Sequence, residues 1–230
     1  MAGHSVVKVQ RFTVWVQAAV SLARQNGDIT AIDAPRVFSR TSGGASGDAK
    51  TNLTILRRLR AGRIISRLSW TEDRVSFVFK DEKLASLLCD AGVWLELYCW
   101  AGALRSGVFD DCASSVLVSW KNGSSGREGG GGTVTHNEID CVAVRWPAKL
   151  FISCKLSVPS AQALNEIKTL ASRFGGAGGK AVLMTMGDAS KDRFFSQRAA
   201  DLHIEIIDRR TLASGDPGAL EKRLSQIAGS

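Results

Sequence analysis

The sequence predicts a two-part α/β protein, in which residues 83–230 form a mixed central sheet flanked by helices and residues 1–82 form a small α+β domain. Beyond residue 83 the hydrophobic pattern runs helix, three strands, helix and strand, which is typical of an α/β unit. Residues 180–186 are an uninterrupted apolar run, as a strand covered on both faces requires. The first domain instead runs helix, helix and hairpin, the order of a winged helix-turn-helix.

The first domain is predicted from helical spacing followed by strand alternation. Its glycine- and serine-rich stretch at 39–48 suits a flexible connection, and Gly62 closes the second helix. In the winged-helix interpretation Arg57, Arg58 and Arg63 contact phosphates, whereas in a connector domain these arginines face water. The predicted elements are helices at 12–24 and 50–61 and strands at 63–70 and 74–79.

The second domain contains two glycine-rich segments, 121–133 and 175–179, which are expected to be a flexible connection and a tight turn. Neither has the order of a phosphate-binding P-loop. The predicted helices are 84–104, 161–174, 191–200 and 217–227, and the predicted strands are 115–120, 138–146, 150–156, 180–186 and 204–208.

Composition restricts the partners and the location. The chain is 44% hydrophobic, and its net charge of +8 favours polyanionic partners such as nucleic acid. No apolar run reaches the roughly 18 residues that span a bilayer, and no secretory signal is evident, so we expect a cytoplasmic protein without a membrane partner. Cys99, Cys141 and Cys154 lie among apolar residues and are expected to be buried thiols.

Asp140 and Lys155 interrupt two strands that otherwise suit a core. A tight turn at Trp146, Pro147 and Ala148 joins these strands, and it brings the carboxylate and the ammonium together at the edge or fork of the sheet. Phosphodiester hydrolysis uses carboxylates to hold Mg²⁺ or Mn²⁺ and a lysine to orient or deprotonate water. The alternative is a buried salt bridge that joins the two strands.

The sequence resembles the CRISPR ancillary nucleases of type III systems, which attach a PD-(D/E)XK nuclease domain, the restriction-endonuclease-like core, to a CARF domain that senses cyclic oligoadenylates. The matching stretches are GVWLELYCW at 92–100, NEIDCVAVR at 137–145, LFISCK at 150–155 and ALNEIKTLASRFGGAGGKAVLM at 163–184. They cover most of residues 84–186. The resemblance implies that Glu96, Asp140 and Lys155 form the catalytic site and that Glu96, Asp140 and the Cys154 carbonyl hold Mg or Mn.

The resemblance further implies a homodimer and an endonuclease that cleaves DNA, RNA or both in antiviral defence, with single strands as the favoured substrate. Arg57, Arg58, Arg63 and Arg173 are expected to hold the nucleic-acid backbone. The first 80 residues lack the length and the βαβ alternation of the nucleotide-sensing domain. Binding of a cyclic oligoadenylate is therefore not inferred.

One position departs from the family pattern. The family has Glu-Cys-Lys where this chain has Ser153, Cys154 and Lys155, and a serine hydroxyl is a poor ligand for a hard dication. Glu138, two residues before Asp140 on one strand, or Glu166 on the following helix is a candidate replacement. The open alternatives are a weakened nuclease, a non-catalytic nucleic-acid-binding or scaffold protein, and a restriction or repair nuclease.

Overall fold

The structure is a computed structural model that describes residues 6–25, 30–35, 49–121, 134–216 and 218–230. The fold is mixed α/β, with two sheets and several helices. It divides into two compact units, Met1–Trp94 and Leu95–Ser230, whereas the sequence-based boundary lies between residues 82 and 83. The glycine-rich connections predicted at 39–48 and 121–133 lie outside the described residues, except for residue 121.

The first unit contains an antiparallel sheet of three strands in the order β1-β3-β2. Its core is aromatic: Trp15 stacks on Phe12 with ring centroids 5.9 Å apart and lies 6.4 Å from Phe77, and each is at most 1% exposed. The two helices and the hairpin are confirmed. The elements are α1 (Val6–Gln25), β1 (Ala31–Pro35), α2 (Ala49–Ala61), β2 (Ile65–Trp70), β3 (Arg74–Phe79) and α3 (Glu82–Cys89).

The prediction for the first domain places no strand between its two helices, whereas the structure has strand β1 between α1 and α2. Ile32 and Ala34 are buried, whereas Asp33 points outward and pairs with Arg74 of β3 at 2.9 Å. A five-residue strand is too short for a period-two pattern to stand out, and aspartate and proline are uncommon in strands. The helix-helix-hairpin order is therefore wrong as stated.

The single long helix predicted over residues 84–104 is also wrong, because α3 ends at Cys89 and α4 (Ala91–Ser106) begins after Asp90. Asp90 has an extended backbone, with φ −88° and ψ 114°, and its carboxylate accepts the N–H of Gly92 at 2.7 Å. An aspartate that accepts an N–H two residues later caps a new helix. Apolar residues continue across this break, so periodicity alone conceals it.

The second unit contains a mixed sheet of five strands in the order β4-β5-β6-β7-β8. The pairs β4-β5 and β5-β6 are antiparallel, and the pairs β6-β7 and β7-β8 are parallel. The mixed central sheet is thus confirmed. The elements after α4 are β4 (Asp111–Lys121), β5 (Val134–Arg145), β6 (Ala148–Lys155), α5 (Ala161–Gly175), β7 (Gly179–Thr185), α6 (Arg193–Asp201), β8 (Ile204–Ile207), α7 (Arg209–Leu212) and α8 (Ala219–Gly229).

Strand β7 lies at the centre of the second core. Its residues Val182, Leu183 and Met184 are 0% exposed, which confirms a strand covered on both faces. Helix α5 ends at Gly175 and β7 begins at Gly179, so the glycine cluster forms the expected tight turn. Within the described part of the chain, no single helix is long and apolar enough to cross a membrane, and only the bent pair of α3 with residues 92–106 reaches that length and composition.

Candidate active site

The site is built around a fork between strands β5 and β6. Their antiparallel pairing runs from Arg145 opposite Ala148 to Cys141 opposite Ile152, and it ends there although both strands continue. Past this point β6 stays paired with β7 and β5 stays paired with β4. Asp140 is the first residue of β5 beyond the last β5-β6 pair, so its side chain lies where the two strands separate.

On the other side of β5 the register with β4 is continuous, but the pair at the same position is missing. The pairing passes from Ser114 opposite Cys141 to Val116 opposite Ile139, and the intervening Ser115 has a φ of 52°. A left-handed backbone costs an L-residue roughly 1–2 kcal/mol. Such outliers concentrate at functional sites, and this one lies opposite Asp140. The sequence gives no sign of it, because serine is ordinary in a strand.

Three donors converge on one oxygen of the Asp140 carboxylate. Oδ2 accepts the backbone N–H of Cys154 at 2.6 Å and the hydroxyl of Ser153 at 3.2 Å, and the Lys155 ammonium lies 3.7 Å away. The other oxygen, Oδ1, takes part in none of these contacts. The Asp140 side chain is only 14% exposed, so these hydrogen bonds fix its orientation in a shielded position.

The strands also orient the amine and a carbonyl. The Lys155 side chain is 43% exposed, so its ammonium contacts both Asp140 and solvent. The Lys155 carbonyl accepts the N–H of Met186, the residue that follows β7. Since successive strand residues direct their backbone groups to opposite neighbours, the Cys154 carbonyl faces β5, as the Cys154 N–H does.

Glu96 on helix α4 has an electrostatic effect at Cys154, which lies beside the fork. Cys99, one turn later on the same helix face, hydrogen-bonds to the thiols of Cys141 and Cys154. The contact with Cys99 lowers the pKa of the Cys154 thiol, but burial and the negative charges of Asp140 and Glu96, together with the electrostatic effect of Cys141, outweigh it, so the pKa is raised. Asp140 and Glu96 therefore both affect the pKa of the Cys154 thiol.

The three cysteines match the expectation of buried thiols, since Cys99, Cys141 and Cys154 are at most 6% exposed. Cys99 is the link that sequence reasoning missed. A cysteine three residues after Glu96 on a helix indicates that the glutamate turn faces the same strands. The pKa of Cys99 is raised well above its usual range by the hydrogen bonds to Cys141 and Cys154 and by burial, so this thiol stays protonated at neutral pH.

Both candidate replacements for the missing glutamate are exposed, and the role of each stays a prediction. Glu138 is exposed and, with Leu117 and His136, lines a shallow cavity of about 370 Å³ between β4 and β5. Glu166 is exposed on α5 and accepts a hydrogen bond from Gln162 at 2.9 Å. Among the described contacts, none joins either glutamate to Asp140 or Lys155. In the part of the chain that the structure describes, no three His, Cys, Asp or Glu side chains are arranged to hold a metal ion.

The four arginines expected to bind nucleic acid are divided between the two units. Arg57, Arg58 and Arg63 belong to the first unit, where all three are exposed on or after α2. Arg173 belongs to the second unit and lies over the ring of Trp120, 4.9 Å from its centroid. The sequence alone does not indicate this cation–π pair, because the two residues are distant along the chain.

No protein-family model and no curated protein matches the chain. Among solved structures, the chain is similar to protein VC1899 from Vibrio cholerae, with a TM-score of 0.62 and 17% identity over 96% of this chain and 52% of that protein. The chain thus spans about half the length of VC1899, and at this identity the likeness shows the fold alone. A second structure, the protein of unknown function AF1548, gives a TM-score of 0.32 at 16% identity, covering 49% of this chain and 58% of that protein.

Proposed function

We propose that the chain is a metal-dependent endonuclease of CRISPR-associated antiviral defence that hydrolyses phosphodiester bonds of DNA or RNA, with single strands as the preferred substrate. The observation that carries this proposal is the meeting of Asp140, Lys155 and the backbone of Cys154 at the fork of β5 and β6. A shielded carboxylate beside a solvent-accessible ammonium suits hydrolysis of a charged ester. The PD-(D/E)XK core and the winged-helix character of the first unit are parts of the same proposal.

The chemistry of three oxygen donors, two carboxylates and one carbonyl, suits a magnesium or manganese ion. Asp140 Oδ1, Glu96 and the Cys154 carbonyl would hold it, and Mg²⁺ commonly uses one or two carboxylates and fills the rest of its shell with water and substrate phosphate. When bound, such an ion polarises the phosphate and lowers the pKa of a bound water. The Cys154 N–H holds Oδ2 at 2.6 Å and so leaves Oδ1 for this role.

Lys155 has two tasks in this proposal. Its ammonium, 3.7 Å from Asp140 Oδ2, balances the carboxylate charge before substrate arrives. Because the side chain is 43% exposed, it can also orient a water and donate to a phosphate oxygen whose charge grows during in-line attack. The carboxylate and the ammonium thus position the reacting groups, and the buried thiols beneath them take no part in proton transfer.

A second candidate function is favoured by the contact of Ser153 with Asp140. The hydroxyl donates to Oδ2 at 3.2 Å, at the position where the family has a metal-binding glutamate. Without that glutamate the fork offers fewer charged ligands, which is the arrangement expected of a nucleic-acid-binding protein that keeps the nuclease fold without turnover. This candidate predicts salt-sensitive binding in the absence of cleavage.

A cleavage assay separates the two candidates. Purified protein is incubated with Mn²⁺ and a labelled single strand, alongside Lys155→Ala and the control Lys168→Ala, a lysine of comparable partial exposure on α5. Loss of Lys155 is expected to reduce the cleavage rate by roughly 100-fold or more, and the control is expected to match the parent. Equal rates for the parent and Lys155→Ala would remove this site. Binding with no cleavage by any variant would favour the second candidate.

The variant Ser153→Glu tests the metal directly. It is expected to cut faster than the parent and to gain more thermal stability from Mn²⁺, because a ligand that binds only the folded state raises its stability. Asp140→Asn in the same background is expected to abolish both gains. If Ser153→Glu gains neither cleavage nor a larger Mn²⁺ shift, while Glu138→Ala abolishes cleavage, the metal site lies with Glu138 instead.

A further inference from the structure

The first unit contains a cavity of about 650 Å³ between the end of α2 and the strands β2 and β3. We call it the basic cavity, because four of its eight lining residues are cationic and none is acidic. Ile65 and Phe79 are buried and form an apolar floor, and the cations are exposed. The lining residues are Arg60, Arg63, Ile65, Ser66, Arg67, Val78, Phe79 and Lys80.

In the described part of the chain, the four cations lack the counter-charge that Arg74, another arginine of this unit, has. Arg74 pairs with Asp33 at 2.9 Å, which raises the pKa of Arg74, whereas no described ion pair joins Arg60, Arg63 or Arg67 to a carboxylate among the residues that the structure describes. Like charges that surround one cavity repel one another. Their clustering therefore favours a polyanionic ligand.

The backbone at Arg63 adds independent support. The N–H of Arg63 bonds to the carbonyl of Arg60 at 3.0 Å, and the N–H of Ile64 bonds to the carbonyl of Leu59 at 2.9 Å. This is a Schellman motif, whose left-handed position strongly favours glycine. Here Arg63 holds that position with a φ of 57°, whereas the preceding Gly62, which the sequence marks as the helix terminator, has no positive φ. An arginine thus occupies the position where glycine is least strained.

Arg67 repeats this arrangement on β2. The pairing with β3 shifts from Ser66 opposite Val78 to Ser69 opposite Ser76, which is a β-bulge. Arg67 lies in the bulge with a φ of 49°. Bulges often place glycine in this conformation. Two arginines in strained backbone conformations therefore line one cavity, and strain retained at two side chains of the same chemistry points to a role for those side chains.

We propose that the basic cavity binds the phosphodiester backbone of a single-stranded nucleic acid. Arg60, Arg63, Arg67 and Lys80 contact its phosphates, and the apolar floor accepts a sugar or base. This inference rests on the proposed function, since it supplies the strand with a holding site in the first unit. It also refines the sequence-based set of arginines, because Arg57 and Arg58 do not line the cavity.

The test measures binding in EDTA, so that a defective metal centre has no effect on the result. Fluorescence anisotropy of a labelled single strand is recorded across salt concentrations for the full chain, Arg60→Ala, Arg67→Gly and Lys80→Ala. Each lost phosphate contact is expected to reduce the slope of log K against log salt by about 0.7. Lys83→Ala, an exposed lysine that does not line the cavity, is the control and should leave the slope unchanged.

Arg67→Gly also addresses folding, because glycine relieves the backbone strain and should leave the unit at least as stable as the parent. Unchanged slopes in all three cavity variants would overturn the proposal. So would a slope that falls for Arg57→Ala and not for Arg60→Ala, which would place the strand on the outer face of α2. Displacement of the strand by AMP at an equal phosphate concentration would assign the cavity to small phosphates and would equally overturn it. Failure of the nuclease proposal appears only in the cleavage assay, so the two failures are distinguishable.

Discussion

Replacing Arg63 by glycine should stabilise the protein while weakening its binding to nucleic acid. Arg63 occupies the left-handed position after α2, with a φ of 57°, and the two hydrogen bonds of the motif are formed by backbone atoms alone. Glycine keeps both hydrogen bonds and removes the steric clash of the Cβ atom. The side chain that is lost is a cation that lines the basic cavity.

The size of the stability gain follows from two opposing terms. An L-residue in the left-handed region costs roughly 1–2 kcal/mol, whereas glycine costs about 0.5–1 kcal/mol more in chain entropy when it is ordered. The midpoints of these ranges differ by roughly 0.75 kcal/mol, which is the expected gain in the free energy of unfolding. For a chain of roughly this size it corresponds to an increase in Tm of about 1–4 °C.

Urea denaturation and thermal melting measure this gain, and Arg57→Gly is the matched control. Arg57 is exposed inside α2, where the same substitution places glycine in a helix and should cost about 1 kcal/mol. The two variants therefore share one chemical change and should have opposite signs. If Arg63→Gly lowers stability as much as Arg57→Gly does, Arg63 does not have the backbone conformation described. If Arg63→Gly is more stable than the parent but has the same slope of log K against log salt, the strained backbone at Arg63 is unrelated to binding.

Three further predictions concern other parts of the chain. Asn52→Leu should raise the free energy of unfolding by about 1–3 kcal/mol in urea titrations, because both polar atoms of this buried amide lack a described hydrogen-bond partner. A free energy of unfolding below that of the parent would contradict this prediction. Gly178→Ala should cost about 1–3 kcal/mol in the same assay, because its Cβ would overlap the Pro147 carbonyl, and an unchanged value would refute the close approach. Burial, with the charges of Cys141 and Asp111, raises the pKa of Cys112 to about 11, so its alkylation, followed by mass spectrometry, should keep accelerating above pH 9 instead of levelling off.

Sequence pattern predicted the elements whose burial is simple. The uninterrupted apolar run at 180–186 required a strand covered on both faces, and β7 is such a strand; the helix predicted at 161–174 is α5. The same reasoning identified Asp140 and Lys155, because a charged residue within an apolar strand is conspicuous. A short turn between two strands brings residues at similar distances from it near one another. Continued by one residue, the β5-β6 register places Asp140 opposite Ser153, two residues before Lys155, and the Lys155 ammonium lies 3.7 Å from Asp140 Oδ2.

The features that pattern did not predict depend on backbone conformation at single residues. The end of the β5-β6 pairing defines the fork, and the left-handed Ser115 lies on β4 opposite Asp140, yet neither feature changes the order of polar and apolar residues. The basic cavity is another case, since it combines a helix end, a bulge and a strand end that lie apart in sequence. Arg67 lies in a bulge where the register of β2 against β3 changes by one residue. Without knowledge of that bulge, the sequence does not show that Arg67 and Arg60 line the same cavity.

Position 153 decides how the charge of Asp140 is balanced. In this chain the carboxylate accepts the Cys154 N–H and the Ser153 hydroxyl and has the Lys155 ammonium nearby, so its charge is offset without a metal ion. A glutamate at position 153 could not donate that hydrogen bond. It would add a second negative charge beside the first, and two adjacent carboxylates repel unless a proton or a cation lies between them. A metal ion would then be required for charge balance as well as for chemistry. The nuclease and the non-catalytic binding protein therefore differ at one side chain, and the Mn²⁺ dependence of stability in Ser153→Glu distinguishes them independently of any substrate.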